Sequence, residues 1–267
     1  SDAGLASLAG LNLKKLTIAK EAMTDIGLKH CLAAIVPPTH LDLREWLEFT
    51  DAGLVHLKEL TGLKTLRLGG TQVTDTGLVH LKGLTNLQDL SLHETKITDT
   101  GLVHLNALKL RRLRIPDHAK TDVGLRHFLA ALDTENLAAL ENPNALWFPF
   151  WKITDAGLVH LKGLTNLQTL HLEGTQITDA GLVHLEGMDL KELGIPTEAT
   201  TDIGLRHYLA AVESRRSLSF TGWKITDAGM AHLAGLTSLQ TLELPKQITD
   251  AGLVHLKGLT SLQTLGL

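Results

Sequence analysis

A short landmark recurs along the chain at a nearly constant spacing, and this periodicity constrains the fold more than any other feature. The landmark is Thr or Ser followed by Asp, any residue, Gly and an apolar residue. Its Asp stands at Asp2, Asp25, Asp51, Asp75, Asp99, Asp122, Asp155, Asp179, Asp202, Asp227 and Asp250. Nine intervals are about 23 to 26 residues long, and the interval from Asp122 to Asp155 is 33. Such a period is typical of stacked-repeat architectures.

The repeat 167–190 shows what each period predicts. Leu170 and Leu172 alternate with polar residues, which indicates a short strand with one buried face. Turn residues follow, and Thr178 is then predicted to cap a helix whose positive dipole end favours Asp179. Two leucines at i, i+3 spacing turn one helical face back onto the strand. One such repeat cannot bury its leucines alone, so we expect the strands to stack side by side in a parallel sheet.

The segment Leu-x-x-Leu-x-Leu-x-x-Thr, from Leu167 to Thr175, with Ile177-Thr178-Asp179 and Gly181-Leu182 after it, resembles the leucine-rich-repeat family. The closest subtype is the cysteine-containing, ribonuclease-inhibitor-like class found in F-box-associated and many bacterial repeat proteins. That subtype has Cys or Asn at the last consensus position, where this chain has Thr71, Thr95 and Thr175.

The resemblance covers residues 1–267 in eleven repeats and implies one domain. The implied fold is an α/β right-handed solenoid, a curved horseshoe with a parallel β-sheet on its concave face and short helices on its convex face. The chain begins inside a repeat and stops in a strand, so neither end has a capping repeat. We therefore expect a fragment of a longer protein, with a terminal strand able to pair edge to edge.

Three repeats differ from the others because they carry a Gly-Leu-basic-His-x-Leu-Ala-Ala segment; we call them the basic repeats. The segment predicts a full amphipathic α-helix, whereas the plain repeats suit a shorter or 3₁₀-like segment. The basic repeats also contain Cys31, the one cysteine, and every aromatic residue of the chain: Trp46, Phe49, Phe128, Trp147, Phe148, Phe150, Trp151, Tyr208, Phe220 and Trp223.

Most of these rings are predicted to fill the interior. Phe128 and Tyr208 take a core-leucine position, and Trp151 and Trp223 take an inward turn position held elsewhere by Thr. Trp147 is predicted to point outward, and for it two interpretations stay open: packing, or an anchor for a binding partner. We expect an inserted loop around residues 133–144 to protrude near it.

The strand residues beside the inward leucines are predicted to form one continuous concave surface, polarised along its length. The N-terminal repeats contribute a net +3, and the later repeats contribute −3 with His neutral. The positive end contains Lys15, Asp42, Arg44, Arg67, Asp89, Arg112 and Arg114. The negative end contains His171, Glu173, Glu192 and Glu243.

A histidine stands five residues after the landmark Asp in ten repeats: His30, His56, His80, His104, His127, His160, His184, His207, His232 and His255. Neighbouring helices lie about 8–10 Å apart, which is too far for adjacent imidazoles to share one zinc. We expect a packing and hydrogen-bonding column, with pH sensitivity as a weaker hypothesis. Asp75-Thr76-Gly77 and Asp99-Thr100-Gly101 match the aspartic-protease triplet only because they are the landmark. No cofactor or metal pattern is present.

A net charge of −4 argues against nucleic acid as the main partner. No run of apolar residues is long enough to span a membrane. The single cysteine and the lack of a visible signal peptide slightly favour a cytoplasmic location. These features predict a non-catalytic scaffold that binds a protein partner. The alternatives are an assembly module associating end to end and a ligand- or glycan-sensing module.

Overall fold

The computed structural model describes residues 2–267, which form two compact units. One unit ends at Pro143, and the other extends from Asn144 to Leu267. Within each unit a short strand, a turn and a short helical segment follow one another repeatedly, and the strands pair in parallel. This is the α/β leucine-rich-repeat architecture that the sequence predicted. The single domain of eleven repeats stays a prediction.

Residues 2–267 contain ten strands of three residues each, arranged in three parallel sheets of order β1-β2-β3-β4, β5-β6-β7 and β8-β9-β10. Their bounds are β1 His40–Asp42, β2 Thr65–Arg67, β3 Asp89–Ser91, β4 Arg112–Arg114, β5 Ala145–Trp147, β6 Thr169–His171, β7 Glu192–Gly194, β8 Ser217–Ser219, β9 Thr241–Glu243 and β10 Thr264–Gly266.

The helices of the same residues fall into two kinds. The α-helices are α1 Asp2–Ala6, α2 Asp25–Ala34, α3 Asp51–Leu54, α4 Asp122–Ala131, α5 Asp155–Leu158, α6 Asp202–Ala211 and α7 Asp250–Leu253. The 3₁₀ segments are Lys20–Ala22, Val55–Leu57, Gly77–Leu81, Gly101–Leu105, Asp117–Ala119, Thr134–Ala139, Val159–Leu161, Gly181–Leu185, Thr197–Ala199, Gly229–Leu233 and Val254–Gly258. The basic repeats therefore have ten-residue α-helices, and the plain repeats have short or 3₁₀ segments, as predicted.

The strand register places the central leucine of each strand beside the leucine of the next. Leu41 pairs with Leu66, Leu66 with Leu90, and Leu90 with Leu113. Leu66 and Leu90 are fully buried, whereas the residues on either side of them alternate toward the other face. The aligned leucines thus form the inner side of the sheet, and the alternating residues form the surface that we call the strand face.

The prediction of one continuous sheet surface is wrong. In the unit ending at Pro143, the segment before α2 does not pair with β1, and Leu13 instead bridges Ile35 at the end of that helix. In the other unit β7 does not pair with β8, and Leu190 bridges Val212 after α6. Each interruption coincides with a basic repeat and its ten-residue helix.

The Thr at the last consensus position has a defined role in the turn. Thr71, Thr95 and Thr175 are buried, and each hydroxyl donates a 2.7 Å hydrogen bond to the carbonyl oxygen three residues earlier. The departure from Cys or Asn is therefore compatible with the fold, because the hydroxyl satisfies a buried carbonyl of the turn.

The landmark Asp acts between repeats, which the sequence prediction missed. Thr178 does not cap the helical segment that follows it; its hydroxyl donates instead to Asp155 Oδ2, one repeat earlier, at 2.7 Å. Its backbone amide donates to Oδ1 of the same carboxylate, also at 2.7 Å. The prediction of Thr178 as a cap is therefore wrong, although Thr24, Thr121 and Thr201 do cap the long helices α2, α4 and α6.

Candidate interaction surface on the strand face

The most exposed aromatic residues of the described chain lie together at one edge of the sheet β5-β6-β7. Trp147 ends β5 and is 56% exposed. Its ring stacks on the imidazole of His171, the paired residue of β6, with ring centroids 4.4 Å apart and planes inclined by 35°. Leu146 and Phe148 are buried on the opposite side of this strand. The alternation that buries them therefore turns Trp147 outward.

His171 is held between two carboxylates. Its Nδ1 lies 2.9 Å from Glu173 Oε1, and its Nε2 lies 3.6 Å from Glu192 Oε1. The Nε2 atom is buried and has no hydrogen-bond partner within residues 2–267. The Trp147 ring thus rests on a mostly covered imidazole whose position the flanking Glu side chains restrict. Such support lowers the side-chain entropy that binding would cost.

Phe150 adds a second exposed ring, which the sequence analysis did not single out. It is 80% exposed and has a φ of +61°, a left-handed conformation that is rare for a bulky residue. Its amide donates to the Glu173 carbonyl at 3.0 Å, and its ring packs over Gly174, where a Cβ would lie 2.4 Å from the Phe150 Cδ1. The backbone therefore fixes an apolar side chain in solvent, a form of strain found at functional sites.

A comparison between repeats supplies the signal that could have revealed Phe150. Counted from the strand leucines, Phe150 occupies the position of Gly70, Gly174 and Gly222, which have φ values of +79°, +70° and +79°, and of the polar Glu94, whose φ is +56°. A side chain at a position shaped for glycine is directed away from the turn. We call Trp147, Phe150, His171, Glu173 and Glu192 the aromatic-acidic cluster.

The charged strand-face residues of the other unit form two networks of ion pairs. In the first, Asp42 accepts from Arg44 Nε at 2.9 Å and lies 3.5 Å from Arg67 Nη1. The hydrogen bond from Arg44 holds the pKa of Asp42 below its ordinary value, and the same bond raises the pKa of Arg44. Exposed pairs of this kind contribute little to stability, but they fix the orientation of the guanidinium groups.

The second network combines β3, β4 and the inserted segment. Arg112 Nη1 lies 3.3 Å from Asp89 Oδ2, and its guanidinium also pairs with Glu141. The hydrogen bond to Glu141 raises the pKa of Arg112. Glu141 was absent from the predicted charge balance, and including it reduces the net positive charge of that end. Arg114 and Lys15 are exposed and make no ion pair within residues 2–267.

The inserted segment does not protrude as a free loop, contrary to the prediction. Residues Thr134–Ala139 form a 3₁₀ segment, and Leu137 and Leu140 are buried. Lys109 Nζ lies 2.6 Å from Glu135 Oε2 and ties the segment to the preceding repeat. Burial of the two leucines holds the insertion against its own unit and positions Glu141 beside Arg112.

Glu243 lies apart from the aromatic-acidic cluster, on β9 of another sheet. Its Oε2 accepts a 2.7 Å hydrogen bond from the Ser219 hydroxyl of β8.

The residues of the predicted site therefore fall into separate groups. Trp147, His171, Glu173 and Glu192 lie together. Arg44 and Arg67 lie around Asp42, and Arg112 pairs with Asp89.

The histidine column hydrogen-bonds in the two basic repeats where its members are buried. His207 Nδ1 lies 2.6 Å from Glu186 Oε1, and His127 Nδ1 lies 3.3 Å from Asn106 Oδ1. Burial lowers the pKa of His56, and the nearby positive charge of Lys29 lowers it further.

Within residues 2–267 no three His, Cys, Asp or Glu side chains are grouped so as to hold a metal ion. No helix in that range is long and apolar enough to cross a membrane.

Comparison with known proteins gives structural similarity at low identity. No protein-family model matches the chain, and no curated protein matches it significantly. An internalin of Listeria monocytogenes strain 4b F2365 is similar over 100% of this chain and 94% of its own, with 19% identity and a TM-score of 0.36. Internalin C2 of the same strain is similar over 91% of this chain and 83% of its own, with 24% identity and a TM-score of 0.30. The architecture described above rests on the strands and helices of this chain itself.

Proposed function

We propose that this chain is a non-catalytic scaffold that binds a protein partner through its strand face, which would be the concave face of a leucine-rich-repeat solenoid. The observation that carries the proposal is the exposure of Trp147 and Phe150, which end and follow the edge strand β5, while Leu146 and Phe148 of the same segment are buried. Trp is among the residue types enriched at the positions that dominate protein–protein binding.

The surroundings of the two rings indicate the chemistry of the partner. Glu173 and Glu192 flank His171 and are available to accept hydrogen bonds from Lys or Arg side chains. We expect a partner that offers an apolar pocket with a basic rim. In the other unit, the exposed side chains of Arg44 and Arg114 form a separate basic surface suited to acidic groups.

The ribonuclease-inhibitor-like subtype is part of this proposal. Its support is the ten-residue α-helix of each basic repeat. The Thr residues that stand where that subtype has Cys or Asn depart from it, although their hydroxyls satisfy the turn carbonyls. In such repeats the helices build the outer wall and the strand face stays open. The only residue pattern that recurs in the sequence is the repeat consensus, which is compatible with a binding role.

The experiment is affinity capture from a cell extract with the unaltered chain, followed by quantitative mass spectrometry. Trp147→Ala and Phe150→Gly remove the two rings, and Ile203→Ala is the matched control because Ile203 is 54% exposed on helix α6. We expect at least one protein to be depleted with both strand-face variants and retained with the control. Equal capture by all four proteins would overturn the proposal.

The two alternative functions, end-to-end assembly and glycan or ligand sensing, predict different results with the same purified proteins. End-to-end assembly predicts a mass that rises with concentration in analytical ultracentrifugation, and the rise would be insensitive to Trp147→Ala. A glycan- or ligand-sensing module predicts a positive glycan array and no captured protein.

A further inference from the structure

A cavity of about 650 Å³ lies in the first basic repeat, within the unit that ends at Pro143. It is bounded by the segment 16–18 on one side, by β1 and the turn after it on the other, and by helix α2. Apolar side chains make up most of its lining, among them Ile18, Met23, Cys31, Leu43 and Trp46. This volume lies in the range of small-molecule sites, which are usually apolar with a few polar groups.

The three basic repeats differ at positions that line the cavity. At the seventh residue of the helix, the second and third basic repeats have Phe128 and Tyr208, and the first has Cys31. Two residues after the strand leucine, the later repeats have Phe148 and Phe220, and the first has Leu43. At these two positions, each later basic repeat therefore has two aromatic side chains and the first has none. Only the tryptophan of the turn is common to all: Trp46, Trp151 and Trp223.

The third basic repeat shows what the rings do when they are present. Tyr208 meets Trp223 edge to face, with ring centroids 5.1 Å apart and planes inclined by 80°. Phe220 meets the same indole at 4.9 Å and 70°. In the first basic repeat the indole of Trp46 lacks both of these ring neighbours and meets Phe49 instead, with ring centroids 6.3 Å apart and planes inclined by 88°.

We propose that this cavity binds a small uncharged aromatic molecule, whose ring system occupies the space that Tyr208 and Phe220 fill in the third basic repeat. The ring would meet Trp46 edge to face, as those two side chains meet Trp223. Asp42, Arg44 and Glu45 also line the cavity, so a hydroxyl or N–H on the ligand can hydrogen-bond there. An uncharged ligand fits best because the guanidinium of Arg44 is already paired with Asp42. This inference does not depend on the proposed protein-binding function.

The chain offers a direct probe of occupancy. It contains three methionines, and Met23 lines the cavity, whereas Met188 and Met230 lie in the other unit. With ¹³C-labelled methionine methyl groups, we expect indole or 1-naphthol to shift the Met23 signal saturably and to leave the other two unchanged. The ring current of a bound aromatic molecule is the physical cause. An unmoved Met23 signal at the solubility limit of both probes would overturn the proposal.

Two substitutions taken from the protein's own repeats fill the cavity. Cys31→Phe and Leu43→Phe introduce the residues found at the equivalent positions, and together they are expected to weaken probe binding at least about tenfold. Cys31→Ala is the control that keeps the cavity open and should bind as the unaltered chain does. Undiminished binding by a folded double variant would contradict the proposal.

A second measurement needs no variant. Cys31 is the one cysteine of the chain and lines the cavity, so a saturating probe should slow its modification by a thiol reagent at least about fivefold, because the bound ring covers the sulfur. An unchanged rate with indole and 1-naphthol would place both probes elsewhere and contradict the assignment.

Discussion

The carboxylate of Asp51 accepts two hydrogen bonds from Thr74, the residue that begins the landmark of the next repeat. The Thr74 backbone amide donates to Oδ1 at 2.8 Å, and its hydroxyl donates to Oδ2 at 2.6 Å. The same two bonds join Asp25 to Thr50, Asp75 to Thr98, Asp155 to Thr178, Asp202 to Thr226 and Asp227 to Thr249. The landmark is therefore a clamp between successive repeats as well as the start of a helical segment.

Removal of the Asp51 carboxylate is expected to destabilise the chain. Asp51→Ala leaves the amide and hydroxyl of Thr74 without their acceptor, and we expect the free energy of unfolding to fall by about 2 kcal/mol. Glu59→Ala is the control, because the Glu59 side chain is 83% exposed and its nearest ion pair, to Lys58, spans 3.9 Å. The two variants are compared by urea unfolding, which is monitored by circular dichroism. Equal midpoints for the two variants would show that the clamp adds nothing.

The landmark is expected to require glycine because the same carboxylate leaves no space for a side chain at that position. A Cβ at Gly77 would lie 2.3 Å from Asp51 Oδ1, whereas a Cβ at Gly62 meets nothing within 4 Å. Gly77→Ala should therefore lower the free energy of unfolding by about 1–3 kcal/mol through overpacking. Gly62→Ala should leave it unchanged or raise it slightly. A thermal melt that ranks Gly77→Ala at or above Gly62→Ala would disprove the steric explanation.

Stability is expected to fall as His56 becomes protonated. Because burial and the nearby Lys29 lower its pKa in the folded chain, the unfolded chain binds more protons at mildly acidic pH. The contribution of His56 to the free energy of unfolding is thus fully present above about pH 6.5, and it is lost as the pH falls through the pKa of His56 in the folded chain. Urea unfolding at about pH 7.5 and about pH 5.5 should show a smaller difference for His56→Gln than for the unaltered chain. An identical difference would exclude His56 as a source of pH sensitivity.

Phe150 is expected to reduce stability while serving binding. Phe150→Gly places glycine where Gly174 stands in the next repeat and removes the cost of a left-handed conformation, so we expect stability to rise by about 1 kcal/mol. Phe150→Ala is the matched control, since it removes the ring but keeps a side chain at a positive φ. Calorimetric melting should rank glycine above alanine at this position. The reverse order would show that the conformation is unstrained.

The repeat consensus made most of the fold predictable, because each buried leucine has a counterpart about one period away. The role of Asp51 was missed because its partner Thr74 lies 23 residues further on, and a helix cap is a more local interpretation of the same residues. Phe150 could have been found by aligning it with the glycines of other turns. Glu141 could not, since the inserted segment has no counterpart in any other repeat and its pairing with Arg112 depends on how Leu137 and Leu140 are buried.

The most direct test of the proposed binding surface is the dissociation constant of the captured partner, purified and titrated against the unaltered chain, Trp147→Ala and Ile203→Ala. If the strand face binds through the exposed indole, Trp147→Ala should weaken binding by at least about tenfold, and Ile203→Ala should bind as tightly as the unaltered chain. Equal affinities for all three proteins, or a loss confined to Ile203→Ala, would place the binding surface elsewhere.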